Sequence, residues 1–258
     1  MKPHTQLLKA VWESSSRHIS DRKVDLDRFE LDDLVSSVFS NGPFYFYIVD
    51  FKDFHLDYVS PSISAIHGLP PGEVTFQDIL DRVHPDDMPF VSRAEQRGIE
   101  IIYERIPPEK RKKYKMSYCF RFQTADGSYQ LFNHQAIMLT ADENNRLSKS
   151  LNIHTNISHL SSESNRRLSV IGMLGEPSFL NIAVDGEAPI PEASRPLFTG
   201  REMEVIRLLS QGMTSRDIAE RLFIAVDTVK NHRKNIMKKS SCKNVGQLVT
   251  RCITEGLL

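Results

Sequence analysis

The chain has 258 residues, enough for one large or two ordinary domains with real hydrophobic cores. Its 33 Lys and Arg balance 33 Asp and Glu. No apolar run approaches the roughly 18 residues that a membrane helix needs. The polar N-terminus lacks a signal-peptide core, and three scattered cysteines argue against a disulfide framework. We therefore expect a cytoplasmic protein that does not enter a membrane.

The overall charge balance conceals a difference between the two ends of the chain. From position 196 onward there are 11 Lys or Arg and 6 Asp or Glu, whereas the preceding 195 residues contain 22 and 27. A basic C-terminal region attached to an acidic body is typical of a module that binds a polyanion.

The N-terminal segment, residues 1–39, is predicted to be helical. Residues 4–20 could form one helix, with Trp12 as its packing anchor against the following domain. Residues 26–39 predict a second amphipathic helix.

The next region predicts strands on both sides of a block of short helices. Residues 44–50 and 55–60 predict two strands. In residues 114–123, aromatic and apolar residues alternate with polar ones, which predicts an antiparallel strand with one buried face. Two further strands, over residues 129–139 and 147–157, complete an α+β domain with a five-stranded antiparallel sheet and flanking helices.

Four stretches of this region resemble a PAS domain. They read YVSPSISAIHG, VHPDDMPFV, FRFQTADGSYQLF and HTNIS, and the resemblance covers residues 40–160. It implies a sensory domain for a small-molecule, redox or protein signal. PAS domains hold haem, flavin, a small metabolite or nothing, and no residue here chooses among them, so the cofactor stays unknown. The apolar face of the strand at residues 114–123 either lines a pocket or is core.

Residues 161–195 are predicted to be a linker with polar ends. Its middle, residues 168–184, is too apolar for a solvated tether. One interpretation is a short hairpin that packs on a neighbouring domain.

Three helical segments are predicted at the start of the C-terminal domain, residues 196–258. Thr199 with Glu202 and Thr214 with Asp217 have the spacing of helix N-terminal capping boxes. Gly212 lies where the first helix ends. The third helix runs from about residue 226 to 239.

Helical projection of this third segment separates an apolar side from a cationic side. Val229 and Ile236 point into the core, and His232 and Arg233 flank them. The outer arc carries Asp227, Lys230, Asn231, Lys234 and Lys238. This arrangement is typical of the recognition helix of a helix-turn-helix. The alternative is a solvated charged face on a small helical bundle.

The stretches TGREMEVIRLL, SQGMTSRDIAERL and TVKNH, with Ile236, resemble the C-terminal DNA-binding domain of LuxR-type regulators. The resemblance implies a sequence-specific regulator of transcription that binds double-stranded DNA as a homodimer and works with RNA polymerase. By its pattern, Lys230, Asn231 and Lys234 would read base edges. The residues placed to contact phosphates are Thr228, His232, Arg233 and Lys238. Two positions depart from the pattern, namely Ala225 for a capping serine and Ser240 for a leucine.

Other features have both a functional and an ordinary explanation. The run His84-Pro85-Asp86-Asp87 suggests a metal site, but an aspartate before a helix commonly caps it, so we expect no metal. Cys119, on the polar face of its strand, is either a redox or ligand contact or a bystander thiol. The last amphipathic helix, residues 245–257, closes the bundle or serves a dimer.

No catalytic constellation is present, so we expect that the protein is not an enzyme. The rival to a DNA-binding regulator is a sensory module whose helical domain docks a protein partner.

Overall fold

A computed structural model describes residues 3–15, 17–20, 22–23, 42–185, 192–194, 197–255 and 257. Within these ranges an α+β domain precedes a helical C-terminal domain, which confirms the predicted fold class. The second N-terminal helix, predicted over residues 26–39, lies outside the described residues.

The helices before and within the α+β domain are α1 (Pro3–Ser14), α2 (Ser62–His67), α3 (Phe76–Leu80) and α4 (Met88–Arg105), with 3-10 helices at Pro85–Asp87 and Pro108–Lys113. The strands are β1 (Phe44–Asp50), β2 (His55–Val59), β3 (Tyr114–Gln123), β4 (Tyr129–Ala141), β5 (Leu147–Asn156), β6 (Arg167–Gly172) and β7 (Phe179–Ala183). The C-terminal helices are α5 (Gly200–Ser210), α6 (Ser215–Leu222), α7 (Val226–Ser240) and α8 (Val245–Thr254).

Helix α1 is shorter than the sequence predicted, because it ends at Ser14 rather than near residue 20. The Ser14 hydroxyl donates to the Val11 carbonyl at 2.9 Å, a local bond that competes with helix propagation. The chain then turns towards the sheet, where Ile19 forms an isolated bridge with Leu147. Trp12 anchors the helix as predicted, with its ring 5.3 Å from that of Phe76.

The sheet has seven strands in the order β2-β1-β5-β4-β3-β6-β7, all antiparallel to their neighbours. All five predicted strands are present, and the sheet has two more. The extra strands come from the apolar middle of the predicted linker, which forms a hairpin. Strand β6 pairs with β3, from Tyr114 opposite Gly172 to Ser117 opposite Ser169. The hairpin hydrogen-bonds a sheet edge that would otherwise be unpaired.

Helices α1 to α4 cover the inner face of the sheet, where the main core lies. Its largest fully buried side chains include Tyr45, Tyr118, Phe122 and Phe132. These side chains stand on one face of β1, β3 and β4, as the period-two alternation predicted.

The outer face of β3 and β4 is buried as well, contrary to the prediction of a single buried face. Lys115, Ser117 and Cys119 are only 9%, 1% and 0% exposed. The reason is that the C-terminal domain packs here. Cys119, Leu131 and Ile157 share one continuous buried cluster with the apolar core of α5 to α8. Cys119 is therefore not on a solvated face.

Two of the three helix-turn-helix segments begin with the predicted capping box. Thr199 Oγ1 accepts from the Glu202 amide at 3.2 Å, and Glu202 accepts from the Thr199 amide at 2.8 Å. Thr214 and Asp217 repeat this pair of bonds. The N-cap of helix α7 is Ala225, whose extended backbone suits a cap but whose side chain supplies no hydrogen bond.

The end of α7 is held by a different contact. Ser240 is 2% exposed, and Arg251 on α8 donates to its carbonyl at 2.6 Å. This bond satisfies one of the last carbonyls of the helix. Helix α8 buries Leu248, Val249, Cys252 and Ile253 within the chain, so it closes the bundle.

Asp87 forms an ion pair instead of the helix cap that the sequence suggested. Its carboxylate accepts from the backbone amide, Nε and Nη2 of Arg121 at 2.8, 3.0 and 2.7 Å. The cap of the 3-10 helix comes from His84, whose Nδ1 accepts from the Asp86 amide at 3.2 Å. Burial by itself would raise the pKa of Asp87, but the Arg121 bonds outweigh burial and lower it.

We expect Asp87→Asn to lower the free energy of unfolding near neutral pH by about 1–3 kcal/mol, since it leaves a charged partner unsatisfied. The folded-state pKa of Asp87 is depressed, so its contribution is present above the usual carboxyl range and is lost as pH falls through the folded pKa. Urea denaturation as a function of pH measures this. Asp86→Asn, at a side chain that is 79% exposed, is the matched control and should change little. Equal effects of the two substitutions would contradict the assignment.

We also expect Ala225→Ser to stabilise the C-terminal domain by about 1 kcal/mol, because a serine hydroxyl could accept from an unpaired amide of the first turn of α7. Thermal unfolding followed by circular dichroism measures the effect. Ala225→Val, whose side chain also offers no hydrogen-bond acceptor, is the matched control and should not gain this stability. A serine variant no more stable than the valine variant would show that the start of α7 does not need a cap.

Candidate nucleic-acid interface and ligand cavity

Helix α7 has one buried spine and one exposed face. Val229 and Ile236 are both 0% exposed and belong to the core of the C-terminal domain. Five of the seven predicted DNA-binding residues are exposed, namely Thr228, Lys230, Asn231, Lys234 and Lys238. His232 and Arg233 are half-buried at the flanks. The structure thus brings all seven predicted residues to one helix, with the orientation that the projection predicted.

Two cations at the edge of α7 bind other helices of the same domain. Arg233 Nη1 donates to Ser215 Oγ at 2.7 Å, which ties α7 to the first residue of α6. Lys239 Nζ lies 2.6 Å from Glu202 Oε2, and Glu202 is only 4% exposed. Burial would raise the pKa of Glu202, but hydrogen bonds from Lys239 and Thr199 lower it. These contacts set the angle at which α7 is presented.

Sequence reasoning missed the role of Lys239, because its partner is 37 residues away and no local spacing connects them. On the exposed arc, Lys230 pairs with Asp227 at 2.9 Å within one turn. Lys234 and Lys238 have no acidic partner in the part of the chain that the structure describes. They are therefore the outer-arc lysines most ready to bind an external anion.

The turn between α6 and α7 exposes an aromatic ring. Phe223 adopts a left-handed backbone with φ of 54° and is 94% exposed. A non-glycine residue in this conformation costs roughly 1–2 kcal/mol. The exposed ring lies three residues before α7 begins, and the hydrophobic pattern did not single it out.

A cavity of about 70 Å³ lies between the inner face of the sheet and the covering helices. One water needs roughly 10–15 Å³ on this measure, so the space suits a small molecule. Most of the lining is aromatic or aliphatic. The polar side chains that reach it include Glu95, His134, Ser150, Asn152 and His154.

A chain of buried polar groups runs along one wall of this cavity. The Tyr45 hydroxyl is 2.6 Å from His154 Nδ1, and His154 Nε2 is 2.7 Å from His134 Nδ1. Burial, followed by the neighbouring His134 and His67, holds the pKa of His154 well below its usual value. If the Tyr45 hydroxyl donates, His154 must donate to His134, which leaves the N–H of His134 on Nε2.

That Nε2 atom of His134 is buried and has no hydrogen-bond partner. Glu95 Oε1 lies 3.6 Å away and already accepts from the Tyr118 hydroxyl at 2.6 Å. The sequence does not predict this hydrogen-bonded histidine pair, because His134 and His154 are 20 residues apart. They meet because the pairing of β4 with β5 places them opposite each other.

The part of the chain that the structure describes has no arrangement suited to a metal ion and no membrane-crossing helix. Across the described residues, no three His, Cys, Asp or Glu side chains gather in a way that could hold a metal. The same ranges contain no helix that combines the length and apolarity needed to span a bilayer.

Family models match both halves of the chain. The model for bacterial regulatory proteins of the luxR family matches residues 196–252, and the PAS fold model matches residues 56–154. Both resemblances predicted from the sequence are thereby confirmed.

Among curated proteins, spore germination protein GerE of Bacillus subtilis is 45% identical over 65 residues, which cover 25% of this chain and 88% of GerE. Oxygen regulatory protein NreC of Staphylococcus epidermidis is 32% identical over 80 residues, covering 31% of this chain and 37% of NreC. The chain therefore spans nearly all of GerE but little more than a third of NreC.

A solved structure of the VqmA dimer of Vibrio cholerae, described as a LuxR-type receptor, aligns with 89% of this chain and 88% of its own. Its sequence identity is 14% and the TM-score is 0.31, too low to support any further comparison. The family assignment rests on the match to the luxR model and on the extent of the GerE alignment. The chain belongs to the luxR family of bacterial regulatory proteins.

Proposed function

We propose that this chain regulates transcription by placing the outer arc of α7 in the major groove of double-stranded DNA. The observation that carries the proposal is the orientation of α7. Its apolar spine is fully buried, while Lys234 and Lys238 are exposed and lack acidic partners among the described residues. A helix with a cationic exposed face fits the groove and the phosphates that border it.

Within this site, Lys230, Asn231 and Lys234 would read base edges. Lysine can donate to guanine O6 and N7, and an asparagine amide pairs with adenine N6 and N7. The proposed phosphate contacts are Thr228, His232, Arg233 and Lys238. Arg233 is suited to this role because its bond to Ser215 holds the guanidinium at the flank of the helix.

One such domain offers few base contacts, so tight and specific binding would require a homodimer on two half-sites. RNA polymerase is the partner we propose for the regulatory output. We further propose that residues 40–160 are the sensory unit and residues 196–258 the DNA-binding unit. Residues 1–39 and 161–195 would connect or flank them.

For the sensory unit we propose a small, mainly apolar ligand in the cavity beneath the sheet. The lining is mostly apolar, which suits the body of such a molecule. The unpartnered Nε2 of His134 and the carboxylate of Glu95 would supply one donor and one acceptor. Burying an unsatisfied polar group costs about 1–3 kcal/mol, which a ligand acceptor at His134 would recover.

Substitution of the outer arc tests the DNA proposal. Lys234→Ala should lower the preference for the cognate site over random duplex by about 1–3 kcal/mol, because it removes a base contact. Arg233→Ala should weaken binding to both duplexes and reduce the salt dependence of binding by about one charge. Fluorescence anisotropy at several salt concentrations measures both effects.

The matched control is Lys243→Ala, which removes one exposed positive charge beyond the end of α7. It should leave site preference unchanged. An intact preference in Lys234→Ala would overturn the assignment of the outer arc. If the wild-type protein did not bind DNA, a protein partner for the helical domain would be favoured instead.

Filling the cavity tests the ligand proposal. The protein purified from its natural host should carry a small molecule by native mass spectrometry, and Ala136→Leu should lose it because the added side chain occupies cavity space. Ala141→Leu, near the end of β4 and away from the lining, is the matched control and should retain the molecule. An empty wild-type protein, or retention by both variants, would contradict the proposal. A visible absorption band would identify haem or flavin.

A further inference from the structure

The face of the sheet beneath the C-terminal domain has the composition of a solvated surface, yet it is buried. The apolar Leu131 and Ile137 of β4 lie on this face. The other side chains on it include Lys115, Ser117 and Cys119 on β3, with Asn133 and Gln135 on β4. All five are between 0% and 9% exposed. Permanently buried sheet faces are mainly apolar, whereas interfaces between domains that separate are more polar.

Hydrogen bonds within this face link its polar groups. Lys115 Nζ donates to Gln135 Oε1 at 2.9 Å, and Gln135 Nε2 donates to Asn133 Oδ1 at 3.1 Å. Asn133 Nδ2 donates to Ser117 Oγ at 3.0 Å. Because these three bonds lie within the face, removing the domain breaks none of them.

Among the described residues, direct polar contacts between the sheet region and the last helix are few. Asn165 Nδ2 donates to the Thr254 carbonyl at 3.3 Å, and Asn181 Nδ2 donates to Glu255 Oε1 at 3.0 Å. The buried apolar contribution of the sheet region to the shared cluster comes from Cys119, Leu131 and Ile157. These contacts hold the domain in place through a small apolar seam, as at an interface between domains.

Lys115 makes the covered state electrostatically unfavourable when its amine is charged. Its hydrogen-bond acceptor, Gln135, is neutral. The charged group that acts on it from the C-terminal domain is another cation, Arg207 on α5, whose Nε is buried without a partner. Burial, and then Arg207, lowers the pKa of Lys115 to about 7. No acidic side chain pairs with either residue in the described ranges.

We propose that the outer face of β3 and β4 is a reversible dock for the C-terminal domain, and that a proton on Lys115 opposes docking. This proposal rests on the proposed function only because the docked domain is taken to be the DNA-binding one. Cys119 and Lys115 lie on the same face of β3, so the thiol becomes accessible when the dock opens.

The pH dependence follows from linkage. In the open state Lys115 has the usual lysine pKa of 10.5, and in the docked state its pKa is about 7. Docking therefore releases a proton at any pH between these two pKa values. The equilibrium constant for docking increases by up to about tenfold for each pH unit as pH rises through this window, and it does not depend on pH below about 7.

Alkylation of the cysteines in the full chain, without DNA, measures opening. Peptide mass spectrometry follows the rate at Cys119 relative to Cys242, which is partly exposed and corrects for ionisation of the thiol. The relative rate at Cys119 should rise by up to about tenfold per unit as pH is lowered towards 7, and then level off. Labelling of the buried Cys252 at the same rate would reveal global unfolding instead.

Lys115→Met should abolish this slope and keep Cys119 protected, while Lys112→Met, at an exposed lysine nearby, should retain it. Arg207→Gln removes the opposing cation, so the pH at which the slope begins should move above 7. This second variant keeps the test decisive if Lys115→Met does not fold. A wild-type rate ratio independent of pH above 7, or a slope that survives in Lys115→Met, would overturn the dock. Neither result would bear on DNA binding, because no DNA is present.

Discussion

The pairing of β3 with β4 is the interaction on which both halves of the molecule depend. Side chains alternate along these strands, so Tyr118 faces the inner core and cavity while Cys119 faces the C-terminal domain. On β4, His134 and Asn133 divide in the same way. A close-packed strand cannot shift on one face without moving the side chains of the other. The β3–β4 pair therefore provides a short physical connection between the proposed sensory cavity and the proposed DNA-binding domain.

The lysine and arginine side chains of α7 have different roles. Arg233 and Lys239 bind Ser215 and Glu202, and they fix α7 relative to the other helices. Lys234 and Lys238 are exposed and have no acidic partner among the described residues. Net charge alone predicts only that the domain attracts a polyanion. The contacts show that Lys239 positions the helix, that Arg233 both positions it and lies at its flank, and that Lys234 and Lys238 are available to a ligand.

The sequence predicted features that depend on neighbours within a few residues, and it failed where distant segments meet. The Thr199 and Thr214 capping boxes and the buried spine of α7 follow from local spacing, and all are present. The burial of Lys115 could not be predicted, because alternation indicates which side chains share a face but not what covers that face. The two additional strands and the Asp87 ion pair likewise depend on long-range pairing.

The central claim is that α7 is the output of the protein and acts by binding specific duplex DNA. The most direct measurement selects binding sequences for the full chain from a random duplex pool and then follows affinity as salt increases. We expect a shared sequence with two symmetric half-sites, and a logarithm of affinity that falls linearly with the logarithm of salt concentration. Selection that enriches no common sequence, or affinity that salt does not change, would contradict it.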